Sequence, residues 1–206
     1  MKIAILVFDR LTALDAIGPY EVLSRLPDAE LSFVAKQPGM KRTDTGSLGI
    51  NADRALGEVP DPDLLLVPGG NGNRPLLADE EVLDWIRTAH EQTKWTTSVC
   101  TGALVLGAAG VLDGKRATTH WVYREELRPF GAEPVAERFV ADGKVVTAAG
   151  VSAGIDMALH LVALEYGELV AQGIQLGIEY DPQPPFDSGS PEKADPQLVE
   201  VVRQVA

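Results

Sequence analysis

Ile3-Ala4-Ile5-Leu6-Val7-Phe8 is a continuous apolar run with no polar position to mark an outward face, the pattern of a central parallel strand covered on both sides. Pro19 to Leu26 follows with Tyr20, Leu23 and Leu26 at helical spacing, and Pro19 suits a first helical turn. Leu31 to Ala35 and Asp63 to Val67 repeat the strand pattern. The second of these is stopped by Pro68-Gly69-Gly70-Asn71-Gly72, which is too rich in glycine to continue a regular element. Between them, Thr43 to Ala52, with Gly46 and Gly49, fits a short hairpin. Asp79 to Gln92 sets Val82, Leu83, Ile86 and Ala89 on one helical face and puts acidic residues in the first turn, where the macrodipole favours them. Trp95 to Val99 reads as a strand and Gly102 to Ala109 as a helix, so Cys100-Thr101 falls at their junction. Arg116 to Thr119 and Val145 to Ala148 predict short strands, Gly154 to Glu165 and Glu168 to Glu179 helices, and Gln197 to Val205 a last short helix. Asp181 to Pro191 carries four prolines, which remove donors and fix φ, and predicts an irregular surface connection.

Strands alternating with helices predict an α/β fold: one domain over residues 1–206, built on a doubly wound, mostly parallel sheet. In such a sheet chemistry collects in the crevice at the carboxyl ends of the strands, and Asp15, Gly69-Gly70 and Cys100 each follow a predicted strand. A chain of 206 residues that is 45% hydrophobic can cover both faces of a sheet without splitting in two. The formal net charge of -12, spread along the chain, repels phosphates and opposes a nucleic-acid partner. No apolar run approaches the roughly 18 to 20 residues that span a bilayer, so no membrane role is expected. One cysteine makes no intrachain disulfide, and Met1-Lys2 leads directly into a strand rather than a signal segment; both fit a reducing cytoplasm.

That lone cysteine changes the picture most. At a sharp strand-to-helix turn, Cys100 would hold its sulfur out of the sheet at the positive end of a helix, which favours thiolate; the plainer reading is a buried structural cysteine. Asp15, in Leu14-Asp15-Ala16-Ile17-Gly18-Pro19, is either a helix cap or an acid/base whose pKa its apolar flank raises. Gly69 and Gly70 can present backbone N–H groups to an oxyanion, or simply supply a tight turn. His120, in Ala117-Thr118-Thr119-His120-Trp121, invites a dyad with Cys100, but a gap along the chain says nothing about distance, and it is read as a supporting or structural residue. His90 and His160 fall in helical runs, and the three histidines and one cysteine have no metal-ligand spacing, so no metal is expected.

Thr97-Ser98-Val99-Cys100-Thr101-Gly102-Ala103, continued through Trp121, resembles the nucleophile region of the ThiJ/PfpI superfamily, which has a flavodoxin-like, class I glutamine amidotransferase-like fold. Asp15 to Leu23, Pro68-Gly69-Gly70, Gly150 to Asp156 and Glu179-Tyr180 through Phe186 extend the likeness over nearly the whole chain. Within the superfamily the resemblance is greatest to the isocyanide hydratase branch, which adds water to an isocyanide to give an N-substituted formamide without a cofactor. It implies that Cys100 attacks the isocyanide carbon, that Asp15 serves as general acid/base on a thioimidate intermediate, and that Thr101 and the backbone near Gly70 orient the reacting groups. It also implies a homodimer. Thr101 stands where peptidase-like members carry histidine, and Asp15 where deglycase-like members carry glutamate, which lowers both of those activities. Sensor domains of helix-turn-helix regulators carry nearly the same Ser-Val-Cys-Thr-Gly and Ala-Thr-Thr-His-Trp strings, so a ligand or redox sensor is the alternative expectation.

Overall fold

Apolar runs without a polar face become strands buried on both sides. In the computed structural model, which describes residues 1–205, β1 (Lys2–Leu6) follows this rule, with Ile3, Ala4, Ile5 and Leu6 all buried. After it come α1 (Ala13–Leu23), β2 (Glu30–Ala35), the hairpin β3 (Gly39–Arg42) and β4 (Gly49–Ala52), and β5 (Arg54–Ala55). Next are β6 (Leu64–Val67), α2 (Glu80–Gln92), β7 (Trp95–Val99) and α3 (Gly102–Ala108), then β8 (Arg116–Ala117), β9 (Glu133–Pro134), β10 (Phe139–Asp142) and β11 (Val145–Ala148). Three helices close the described chain: α4 (Ala153–Tyr166), α5 (Glu168–Gly177) and α6 (Pro196–Val205). Ala206, the last residue of the expected domain, lies outside the described residues.

Seven strands form the main sheet in the order β10-β11-β7-β6-β1-β2-β5, parallel throughout except for the edge strand β10. The step from β1 to β2 runs one way along the sheet and the step from β6 to β7 the other. Right-handed crossovers then place α1 and α2 on opposite faces and open a crevice at the carboxyl ends of β1 and β6. On one face α1 packs on α4 and α4 on α5; on the other α2 packs on α3. The expected α/β, doubly wound, mostly parallel sheet is what the chain forms.

Several elements depart from the expectations. Helix α1 starts at Ala13, not at Pro19, which instead sits inside it. Having no N–H, Pro19 cannot bond the carbonyl four residues back, that of Asp15, so the helix is loosest at the turn that carries the acid. Tertiary packing compensates: a Cβ on Gly154 of α4 would meet Pro19 Cγ at 3.0 Å, so the two helices touch there. The hairpin begins earlier than the Thr43 to Ala52 run, because residues 43–48 are its turn and Gly39–Arg42 its first strand. The glycine-rich run 68–72 leads directly into regular structure, a 3-10 stretch (Asn71–Ala78). Gly72 serves close approach, since a Cβ there would lie 1.8 Å from the Asp9 carbonyl oxygen. The strand expected over Arg116 to Thr119 is only β8, which pairs with β9 outside the main sheet. Thr118 and Thr119 leave it to bond the Thr147 side chain and the Cys100 carbonyl. Short β10 and the 3-10 stretch Trp121–Phe130 had no expected counterpart.

Candidate active site

Cys100 follows β7 and precedes α3, and it takes the left-handed conformation, φ 56. A side chain at positive φ is strained unless its surroundings hold it, and such residues cluster at functional sites. Here the surroundings do hold it. The Cys100 N–H donates to the carbonyls of Ala149 (2.8 Å) and Ala148 (3.1 Å), and its own carbonyl accepts from Thr119 Oγ1 (2.6 Å). Gly102 lets the helix start against β6, since a Cβ there would fall 2.0 Å from the Val67 carbonyl oxygen. This is a nucleophile-elbow geometry, with the thiol presented at the head of the sheet.

Asp15 comes from the first turn of α1 and is fully buried. Its Oδ2 accepts the Gly69 N–H at 2.9 Å, while Oδ1 is buried with no hydrogen-bond partner. Burial pushes the carboxyl up to about 7, although the Gly69 N–H and the Cys100 thiol favour its charged form; the Asp44 charge pushes it further up. The thiol is also pushed up, first by burial and next by the Asp15 charge, and the Thr101 and Val151 groups beside it offset only part of this. Placement at a helix start therefore does not lower the thiol as the sequence suggested. Desolvation is the largest influence on the thiol, and α3 is a short helix. The outcome is a carboxyl that ionises around neutral pH beside a thiol that keeps its proton, so the pair carries at most one negative charge.

Both glycine N–H groups are committed to side chains: Gly69 to Asp15, and Gly70 to Thr101 Oγ1 at 3.0 Å. They fix the acid and the hydroxyl rather than facing an oxyanion, which differs from the expected use. With its lone pair engaged by Gly70, the Thr101 hydroxyl has its own proton to donate toward the sulfur or a ligand. Asn73, which the sequence did not single out, anchors the Thr101 carbonyl through Nδ2 at 2.9 Å. Its only signal was its place in the glycine-rich stretch after Gly70. Thr119 was likewise overlooked, although it stands in the quoted Ala-Thr-Thr-His-Trp string.

Cys100, Thr101, Gly70 and His120 line one cavity of about 180 Å³, closed in part by Tyr123 and by Val205 of α6. His120 Nδ1 accepts the Val122 N–H at 3.4 Å, so the ring proton sits on Nε2, and burial lowers its pKa and keeps it neutral. Among the described residues no hydrogen bond joins His120 to Cys100, so it is a wall of the site and not the base of a dyad. His90 bonds Thr96 Oγ1 (2.8 Å), and His160 stacks on Phe139 (4.9 Å), both away from the cavity. A methyl group on Gly69 would lie 2.5 Å from Thr101 N and 3.0 Å from Asp15 Oδ2. Gly69→Ala is therefore expected to displace both side chains, lowering Tm and cutting turnover at least ~100-fold. A wild-type kcat/KM in this variant would show that the close approach is not needed.

A doubly wound sheet with a strained cysteine at the head of a central strand and a buried carboxyl beside it defines a class, and the chain belongs to the DJ-1/PfpI family, whose profile matches residues 1–164. The chain is 46% identical over 206 residues to the isonitrile hydratase of Pseudomonas putida, covering 100% of this chain and 90% of that protein. A crystal structure of a ThiJ/PfpI family protein from Pseudomonas syringae superposes with a TM-score of 0.96 at 37% identity, over 99% of this chain and 85% of that one. Similarity to the helix-turn-helix transcriptional regulator CdhR of Pseudomonas aeruginosa is 32% identity, spanning 76% of this chain and 47% of the regulator.

Proposed function

We propose that the chain, acting as one domain, is an isocyanide hydratase that converts R–NC and water to R–NH–CHO through a thioimidate on Cys100, with Asp15 as general acid/base. The observation that carries this is the pairing of a buried, unpartnered Asp15 oxygen with a thiol whose protonation is coupled to that carboxyl. The resting pair holds carboxylate and thiol. Sulfur attacks the terminal isocyanide carbon as its proton passes to Asp15, and Asp15 returns that proton to the carbon, giving R–N=CH–S–Cys100. Charge moves within the pair and no new charge is created in a dry site, where separated charges are most costly. Asp15 then takes a proton from water as the hydroxide adds to the same carbon, and passes it to the nitrogen, giving R–NH–CH(OH)–S–Cys100. Cleavage of the C–S bond expels the formamide as the hydroxyl proton passes through Asp15 to the sulfur. Thr101, fixed by Gly70 and Asn73, orients the reacting carbon or the water.

No cofactor enters this scheme. The family likeness adds a homodimer, and a reducing cytoplasm suits a lone reactive thiol. No helix of the described residues is long and apolar enough to cross a membrane, and the charge of -12 disfavours nucleic acid. The regulator similarity supports a second reading, a ligand or redox sensor, which needs no proton-exchanging carboxyl beside the sulfur.

Mixing the purified protein with simple alkyl and aryl isocyanides should yield the formamides by mass spectrometry, with an adduct trapped on Cys100; no conversion across such a panel favours the sensor. Turnover requires ionised Asp15, which is raised to about 7, so kcat/KM should climb about tenfold per pH unit below 7 and level off above it. A flat profile between pH 5 and 8, on the order of three units across the acid's range, removes Asp15 from the rate equation.

A further inference from the structure

Beside the catalytic cavity lies a larger one of about 430 Å³, and the two adjoin across His120 and Val151, which line both. Its volume falls in the range of small-molecule sites, which are apolar with a few placed polar groups. Leu14 and Trp121 supply apolar wall; Arg124, Arg138, Glu137 and Glu192 supply charge. Three of these four are accounted for. Arg138 bonds Asp156 and reaches Ser152 Oγ (3.3 Å), and Glu137 pairs with Arg116 at 2.7 Å. Glu192 is exposed, and its carboxyl is lowered first by its own backbone N–H, next by Ser190 and only last by the charge of Arg124. Arg74, bordering the smaller cavity, pairs with Glu126 at 2.7 Å. Arg124 stands apart. Its Nε is buried with no hydrogen-bond partner, and among the described residues it forms no ion pair. With Nε enclosed and the terminal nitrogens open to the cavity, the guanidinium charge there has no counter-ion pair among the described residues.

We propose that the substrate is an isocyanide that also carries a carboxylate, and that Arg124 binds this carboxylate in the larger cavity while the isocyano carbon reaches Cys100 in the smaller one. The proposal rests on the hydratase reading for the reacting group, and on the cavity alone for the anion. The terminal N–H groups of the guanidinium, which are not enclosed and form no ion pair among the described residues, can meet a carboxylate in a two-point, charge-assisted contact. A neutral isocyanide of the same size would leave that charge unmet. Arg124 is thus a specificity residue: it discriminates between substrates and takes no part in the bond changes.

Two measurements separate the anion site from the chemistry. With the full-length Cys100→Ala protein, calorimetric titration of N-formyl amino acids, the products of ω-isocyano carboxylates of increasing length, is compared with titration of their carboxamides. At the matching length the acid should bind about 10-fold tighter. Arg124→Gln in that background should erase the preference, and Glu192→Gln, on an exposed turn, should widen it by removing a competing carboxylate. With the wild type, kcat/KM should favour the ω-isocyano acid over its amide by a similar factor, mainly through KM. Equal binding of acid and amide at every length, or a preference that survives Arg124→Gln and ignores Glu192→Gln, overturns the proposal. If no isocyanide is hydrated while the acid preference and its dependence on Arg124 persist, the hydratase reading fails and the carboxylate site stands.

Discussion

Replacing Cys100 with alanine is expected to leave the fold and ligand binding in place while abolishing formamide production, a loss of about 10⁴-fold or more. Cys100 is the one cysteine of the chain, and its thiol is the nucleophile that bears on the Asp15 carboxyl. The backbone there is held by bonds that do not involve sulfur: two from the Cys100 N–H, and two to its carbonyl, from Thr119 Oγ1 and the Ala103 N–H. Alanine keeps all four and the same left-handed φ of 56, so it inherits the strain unchanged. Cys100→Gly sharpens the prediction. Glycine adopts positive φ without penalty, so this variant should be as inactive as Cys100→Ala yet more stable by about 1 kcal/mol. Matching circular dichroism with Tm ordered glycine above alanine, and no turnover in either, is the expected pattern. Residual hydration near the wild-type rate in either protein would remove the thioimidate from the mechanism.

That strain is also where the sequence stopped being informative. Strands β1, β6 and β7 could be read because continuous apolar or β-branched runs have one stable use in this fold, burial on both faces. The position of Cys100 followed from where such a run met a glycine-initiated helix. Its environment did not. Whether a thiol is lowered by a helix start or raised by burial depends on how tightly Asp15 and the Gly69 turn close over it, which only long-range packing decides. Proline misled the reading of α1, since Pro19 looked like a first-turn residue and is tolerated inside the helix by its contact with Gly154. Asn73 and Thr119 act through single hydrogen bonds to backbone carbonyls across the crevice, a use that leaves no periodicity. Arg124 was equally silent, because an arginine in a polar stretch reads as a solvated charge until its buried Nε is seen to lack a partner.

Asp15→Asn is expected to cut kcat/KM by about 10² to 10⁴ while making the protein more stable at neutral pH, two effects with one origin. Asparagine can still accept the Gly69 N–H through its carbonyl oxygen, so the geometry of the turn is retained. What disappears is a group able to take the thiol proton and return it to carbon, and with it the rise in rate through pH 7. Stability moves the other way because the folded carboxyl, at about 7, lies above the unfolded value of ~3.9. A raised pKa means the folded state binds its proton more tightly. The stability tied to that proton is therefore complete below about pH 4 and is lost as pH rises through about 7. Asparagine is never charged and loses nothing over that window. The variant should match the wild type near pH 4 and exceed it by ~1 to 4 kcal/mol at pH 8, a gain of several degrees in Tm. A parallel pair of stability curves across this range would mean that Asp15 is ionised in the folded protein at all these pH values, and the shared-proton mechanism would fall with it.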